Sequence, residues 1–169
     1  MSKKMLMVSY GFVLAALQPA AAQTRSGEPA PQIQAQIQGQ STPQYDAELA
    51  RSLGADDRGM RKYVLVILKT GPTKVTDKAE RAKMFAGHFA NINKLAAEKK
   101  LAVAGPLDGK EGRRGIFILA TPDIAQAKTY VDADPVIVNG EMVAEYHEFY
   151  GSAALMAVNG LHNRIEQKK

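Results

Sequence analysis

Residues 63–72, with the sequence YVLVILKTGP, decide how the fold of this chain begins. Six apolar residues in succession, several of them β-branched or aromatic, are followed by a turn at Gly71-Pro72, which is typical of a short strand. Both sets of alternate positions in this run are apolar, whereas a strand with one solvated face should alternate apolar and polar residues. We therefore predict a strand over residues 63–68 with both of its faces covered.

A long amphipathic helix is predicted after this strand. Asp77 and Glu80 have the spacing of a capping box, and apolar residues then recur at helical spacing from Met84 to Ala96. The lysines at positions 99 and 100 suit the negative end of a helix dipole. The pattern predicts a helix of about five turns that ends near these lysines.

The rest of the domain is predicted to add three strands and one helix. Thr121 offers a capping hydroxyl before a proline, and Asp134-Pro135 is expected to end the helix that begins there. The predicted strands cover residues 101–107, 115–120 and 142–150, with a hairpin loop over 108–114 and the second helix running from Thr121-Pro122 to about Ala133. The order β-α-β-β-α-β predicts an α+β, ferredoxin-like fold, in which an antiparallel sheet carries both helices on one face.

The other face of this sheet needs a cover, because its strands are apolar on both alternations. An exposed apolar patch of that size usually marks an interface. We therefore predict a homodimer that packs through the open sheet face. The alternative is that the N-terminal linker or the C-terminal tail, residues 151–169, folds back over it.

Residues 1–22 are predicted to be a signal peptide. Lys3 and Lys4 precede an apolar run from Met5 to Leu17, and three alanines at 20–22 supply the small residues before a cut after Ala22. A membrane anchor would need about 20 apolar residues, and this run has 13. The mature protein is therefore expected to be periplasmic or secreted, without membrane association.

Residues 23–59 are rich in Gln and Pro and are predicted to be a flexible linker, because such a stretch buries too little apolar area to offset its ordering entropy. The glutamines at alternate positions from 32 to 40 also fit an edge strand or a partner-binding segment. Residues 46–53 could form a short helical turn.

Composition excludes several classes of protein and of site. The chain has no cysteine, which excludes a lipid-anchored lipoprotein, a disulfide framework and a cysteine nucleophile. Loss of residues 1–22 would leave 147 of 169 residues and lower the formal charge from +5 to +3. The basic residues are scattered among acidic ones, so nucleic-acid binding is not predicted.

Three stretches together resemble the YCII-related family. They are GHFANINKL at 87–95, AGPL at 104–107 and ADP at 133–135 with Gly140 following. That family has a histidine on its first helix, a Gly-Pro at the end of its second strand and an Asp-Pro after its second helix. After the Asp-Pro the family more often has an aromatic residue, whereas this chain has Val136. The resemblance spans roughly residues 60–150 and implies a dimeric α/β barrel with a pocket between sheet and helices. A few similar proteins are enzymes of aromatic-ring degradation, such as dehydrochlorinases and muconolactone isomerase-like proteins, and most have no known activity.

His88 is the leading candidate for proton transfer, because helical spacing places it on the buried side of its helix and histidine titrates near neutral pH. The resemblance implies that Asp134 orients its imidazole. Arg81, two turns earlier on the same face, and Gly105-Pro106 are the candidate substrate-binding residues. Each has an ordinary alternative: a core histidine, a helix stop at Asp134, a solvated arginine and a strand-ending turn.

The sequence thus predicts an exported YCII-related protein that binds a small molecule in a pocket lined by His88 and Asp134, with no cofactor. The alternative is a His-Asp acid/base enzyme of lyase, dehydrochlorinase or isomerase type, acting on a small cyclic or aromatic-derived compound. Whether the protein is an enzyme stays open. Glu145 and His147 share a strand face that Glu148 does not, so no metal site is predicted.

Overall fold

A computed structural model of the protein describes residues 44–167, so the predicted signal peptide and most of the predicted linker lie outside the described residues. The helices are α1 (Ala47–Leu53), α2 (Lys78–Ala97), α3 (Ile124–Val131), α4 (Pro135–Val138) and α5 (Val158–Ile165). The strands are β1 (Met60–Thr70), β2 (Leu101–Pro106), β3 (Arg113–Leu119) and β4 (Met142–Ser152), and short 3-10 helices lie at Lys110–Gly112 and Ala153–Ala157.

The four strands form one antiparallel sheet in the order β2-β3-β1-β4. Leu65 in the central strand β1 pairs with Ile118 of β3 on one side and with His147 of β4 on the other. The sequence-based prediction of an α+β, ferredoxin-like fold is confirmed by this order and by the alternation of strands with helices.

The main core lies between one face of the sheet and the helices. The buried residues of this core come from β1, α2, β2, β3, α3, α4 and the start of β4, and the largest of them include Val64, Val66, Leu68, Met84, Leu95, Leu101, Phe117, Leu119, Val131 and Val136. The alternation along β1 therefore directs one of its two apolar sides into the helix layer.

Part of the opposite sheet face is covered by the C-terminal segment. Tyr63, Ala102 and Ile118 are buried there, and Leu155 and Met156 of the second 3-10 helix pack against them. Asn159 of α5 fixes this segment further, since its side-chain amide donates a 2.7 Å hydrogen bond to the Leu101 carbonyl. The predicted alternative of a folded-back tail thus holds for this part of the face, while other positions such as Ile67 are only half-buried.

Two local predictions need correction. Thr121 does not cap α3, because the side chain of Asp123 accepts the hydrogen bond from the amide of Ala125 and the Thr121 hydroxyl accepts one from the amide of Asp123. The helix ends at Val131 rather than near Ala133, and Asp134 then caps the separate helix α4. The short helical turn expected within residues 46–53 is confirmed as α1.

Candidate functional site

Helix α2 brings His88 to the centre of the domain. The helix begins as the sequence predicts, with the Asp77 carboxylate accepting a 2.9 Å hydrogen bond from the amide of Glu80. Its buried residues are Met84, His88 and Leu95, which share one face of the helix. The imidazole therefore points toward the sheet, and only 7% of the residue is exposed.

Asp134 reaches this imidazole because α4 packs closely against α2. Asp134 caps α4 by accepting a 3.1 Å hydrogen bond from the amide of Val136, and it is fully buried. Both of its carboxylate oxygens lie 3.0 Å from Nδ1 of His88, and the side-chain amide of Asn91 donates a further 3.0 Å hydrogen bond. The carboxylate that caps the start of α4 thus also holds the histidine, although 46 residues separate them.

The pairing with Asp134 determines which nitrogen of His88 is available. Since a carboxylate accepts hydrogen bonds, Nδ1 carries the hydrogen, and in the neutral ring Nε2 presents its lone pair. The imidazole ring stacks on Phe117 with the two ring centroids 6.0 Å apart. Its centroid lies 6.1 Å from that of Phe85 and 5.5 Å from that of Phe89. The hydrogen bonds of His88 to described residues are both made by Nδ1, and His88 lines a cavity.

This cavity, of about 370 Å³, lies between α2 and the sheet. His88 and Arg114 are its only charged or titratable lining side chains among the described residues. The end of β2 contributes Ala104, Gly105 and Pro106. Gly115 of β3 also lines it. The other lining residues are large and apolar: Leu68, Phe85, Phe89, Ile92, Ile116, Phe117 and Met142.

Arg81 occupies a separate ion pair. Its Nη2 and Nε lie 3.0 and 3.3 Å from one oxygen of Glu141, and its guanidinium stacks on Phe85 at 4.7 Å. The other Glu141 oxygen accepts a 2.8 Å hydrogen bond from the amide of Val75. That backbone hydrogen bond, followed by the Arg81 side chain, lowers the pKa of the buried Glu141 carboxyl.

The structure therefore brings together four of the five predicted site residues. His88, Gly105 and Pro106 line the cavity and Asp134 lies behind His88. Arg81 lies outside the lining and stacks on Phe85, which belongs to it. A role for Arg81 in substrate binding stays a prediction. Val136 stands where the family more often has an aromatic ring. It lies in the buried core and does not line the cavity, so this difference from the family does not change the cavity wall directly.

Three polar residues near the site were not predicted from the sequence. Asn91 lies three positions after His88 on the same helix, and that spacing could have identified it as a neighbour. Arg114 and Glu141 have no comparable local signal, because their positions depend on the strand pairing of β3 and on the turn before β4.

Glu145 and His147 face the same side of β4, as predicted. His147 Nε2 lies 2.8 Å from a Glu145 oxygen, and Lys69 lies 3.4 Å from the other oxygen. Within residues 44–167 there is no group of three or more His, Cys, Asp or Glu side chains suited to a metal ion. Over the same residues, no helix is long and apolar enough to cross a membrane.

Comparison with known proteins identifies the family. The 5-chloro-2-hydroxyhydroquinone dehydrochlorinase of Burkholderia phenoliruptrix, solved in complex with 2,5-dihydroxybenzoquinone, is 21% identical with a TM-score of 0.35, and the match covers 48% of this chain and 90% of that one. Comparison with curated protein sequences found no match. The sequence profile of the YCII-related domain matches residues 62–150, which include β2, β3, most of β1 and β4, His88 and Asp134. The chain therefore belongs to the YCII-related domain family.

Proposed function

We propose that this domain binds a small organic molecule in the cavity between α2 and the sheet, in contact with His88. The observation that carries this proposal is the orientation of His88, whose Nδ1 is held by Asp134 while the ring lines the cavity. Ligand pockets are mostly apolar and place a few polar groups where they fix the ligand. A single directed imidazole among three phenylalanine rings fits that description.

Protein-observed NMR with a collection of small cyclic compounds tests this function. We expect binders to shift the amide resonances of Gly105 and Gly115, and we expect Ala104→Phe, which adds a ring to the cavity lining, to remove those shifts. Ala154→Phe adds the same ring at an exposed position outside the cavity and serves as the matched control. Compounds that bind Ala104→Phe and the unaltered protein equally well would show that the ligand site lies elsewhere.

Acid/base catalysis is the second candidate, and the His88–Asp134 geometry favours it. With Nδ1 held by the carboxylate, Nε2 could accept a proton from a bound substrate and return it to another atom, as an isomerase requires. In an elimination, the proton would go to Nε2 while chloride or another leaving group departs with the bonding electrons. Positioned proton transfer of this kind contributes typically about 10² to 10⁴ fold in rate.

One measurement tests the His88 geometry that both functions share, and a second separates catalysis from binding alone. Long-range ¹H–¹⁵N spectra should show a single Nδ1–H tautomer for His88, and Asp134→Asn should give a mixture of tautomers. Deuterium incorporation into small cyclic ketones in D₂O should be faster with the unaltered protein than with His88→Gln. Equal exchange with both proteins, over ketones that are seen to bind, would leave binding as the function.

We also propose that the domain forms a homodimer through the part of the sheet face that the C-terminal segment leaves open. Ile67 lies on that face and is half-buried. Light scattering should give twice the monomer mass for the unaltered protein and the monomer mass for Ile67→Lys. Leu49→Lys, at an exposed position on α1, should remain dimeric.

Export to the periplasm or medium remains our proposal for localisation, based on the charge and apolar run of the first residues. Mass spectrometry of protein from the periplasmic fraction of a bacterial host should give a chain that starts at Gln23. A full-length chain in the cytoplasmic fraction would contradict it.

A further inference from the structure

Arg114 is held at the cavity by an irregularity in the sheet. On β1, Leu68 pairs with Gly115 and the next residue, Lys69, pairs with Arg113, so Arg114 is the extra residue of a β-bulge in β3. A bulge re-aims the side chain of the extra residue, and bulges are frequent beside active sites. Without it, strict alternation would put Arg114 on the sheet face opposite to Gly115.

The charge of Arg114 lacks a direct partner in the described part of the chain. Arg113, its neighbour, is paired with Glu111 at 2.9 Å, and Arg81 is paired with Glu141 at 3.0 Å. Arg114 forms no ion pair with a described residue, although it is only partly exposed. Glu141 lies near enough for the Arg114 charge to help lower its pKa, but that carboxylate is already paired with Arg81. Arg81, Arg114 and Glu141 together therefore carry one positive charge in excess beside the cavity.

We infer that the cavity takes a small ring-shaped organic anion whose carboxylate binds Arg114. The ring would lie among Phe85, Phe89 and Phe117, which supply flat apolar walls. Arginine offers several N–H donors in a fork that matches a carboxylate, and such charge-assisted pairs are stronger than neutral ones. This inference rests on the proposed function, because it assumes that the cavity is the ligand site.

The test compares two probes of nearly equal shape, 4-hydroxybenzoate and 4-hydroxybenzamide, by isothermal titration calorimetry and by the NMR shifts of Gly105 and Gly115. We expect the anion to bind about ten- to a hundredfold more tightly than the amide, because a charged hydrogen-bonded pair in a partly buried site contributes about that much to affinity. Arg114→Gln should remove that preference, and Arg114→Lys should retain part of it.

Arg113→Gln is the matched control, because it removes the same charge from the adjacent position of β3, outside the cavity lining. It should leave the preference for the anion unchanged. If both probes bind equally well, or if Arg113→Gln removes the preference as fully as Arg114→Gln, the inference is wrong and the proposed cavity function stands. If neither probe binds the folded protein, the inference fails, and so does the proposal that the cavity between α2 and the sheet binds ring compounds.

Discussion

Gly87 and Pro135 approach so closely that a β-carbon at position 87 would lie 2.9 Å from Cγ of Pro135. Gly87 immediately precedes His88 on α2, and Pro135 immediately follows Asp134 at the start of α4. The absence of a side chain at position 87 therefore lets the two helices come near enough for His88 and Asp134 to hydrogen-bond. The contact that orients the imidazole depends on this packing.

Gly87→Ala should destabilise the domain and loosen the His88–Asp134 contact. The added methyl group meets a rigid proline ring, and overpacking of this kind costs about 1–3 kcal/mol, more than the gain of up to about 1 kcal/mol in helix propensity. Urea unfolding should show a lower free energy of unfolding, and the His88 side-chain resonances should broaden or report mixed tautomers.

Gly160→Ala is the matched control for this change. Gly160 also lies in a helix, α5, but a β-carbon there would meet no atom within 4 Å. The same substitution should therefore leave the free energy of unfolding unchanged or raise it by up to about 1 kcal/mol. A Gly87→Ala protein as stable as the unaltered one would show that Pro135 can move away without loss.

The buried Asp134 carboxylate should matter more for its hydrogen bonds than for its charge alone. Asp134→Ala leaves the donors on His88, Asn91 and Val136 without their acceptor and removes the cap of α4, for which we expect a loss of about 2–4 kcal/mol. Asp134→Asn keeps a capping oxygen and should lose less. Denaturant unfolding of both variants would measure the difference, and equal losses would contradict the proposed capping role.

The regular elements could be predicted from the sequence because their signals are local. The apolar run of β1 and the Asp77 cap of α2 each lie within a few neighbouring residues, and both are confirmed. The ends of the strands were less predictable: β1 begins at Met60 rather than Tyr63, because Arg61 and Lys62 join the ladder through pairing with β4.

The site could be predicted only where helical spacing or the family resemblance marked it. His88 follows from its place on the apolar side of α2, whereas its contact with Asp134 depends on the packing of two helices and was implied by the resemblance alone. The position of Arg114 depends on a bulge that arises from the pairing of β1 with β3. No pattern within β3 itself distinguishes Arg114 from Arg113.

Glu141 should make the stability of the domain depend on pH in the acid range. Its pKa in the folded protein is lowered from the ordinary value of 4.5, first by the Val75 amide and then by Arg81. A group with a lowered folded pKa contributes stability above its unfolded pKa and loses it as the pH falls through the folded pKa. Glu141→Gln should therefore be less stable than the unaltered protein at pH 7, by about 1–2 kcal/mol.

The gap between these two proteins should shrink as the pH falls below the ordinary value of 4.5. Thermal melts from pH 7 to pH 3 would follow it, with Glu148→Gln as a control that removes the same charge at an exposed position. A gap that stays constant across this range would mean that the Glu141 carboxylate does not stabilise the fold through its charge.

The C-terminal segment should stabilise the domain as a cover for the sheet. Leu155 and Met156 pack on the buried Tyr63, Ala102 and Ile118. Replacing both with alanine should lower the free energy of unfolding by about 1–3 kcal/mol, because each side chain is only half-buried and loses less than a full core residue. Leu161→Ala, at an exposed position of α5, should change it by no more than about 0.5 kcal/mol. If the double variant is as stable as Leu161→Ala, the contacts of Leu155 and Met156 with the sheet do not stabilise the domain.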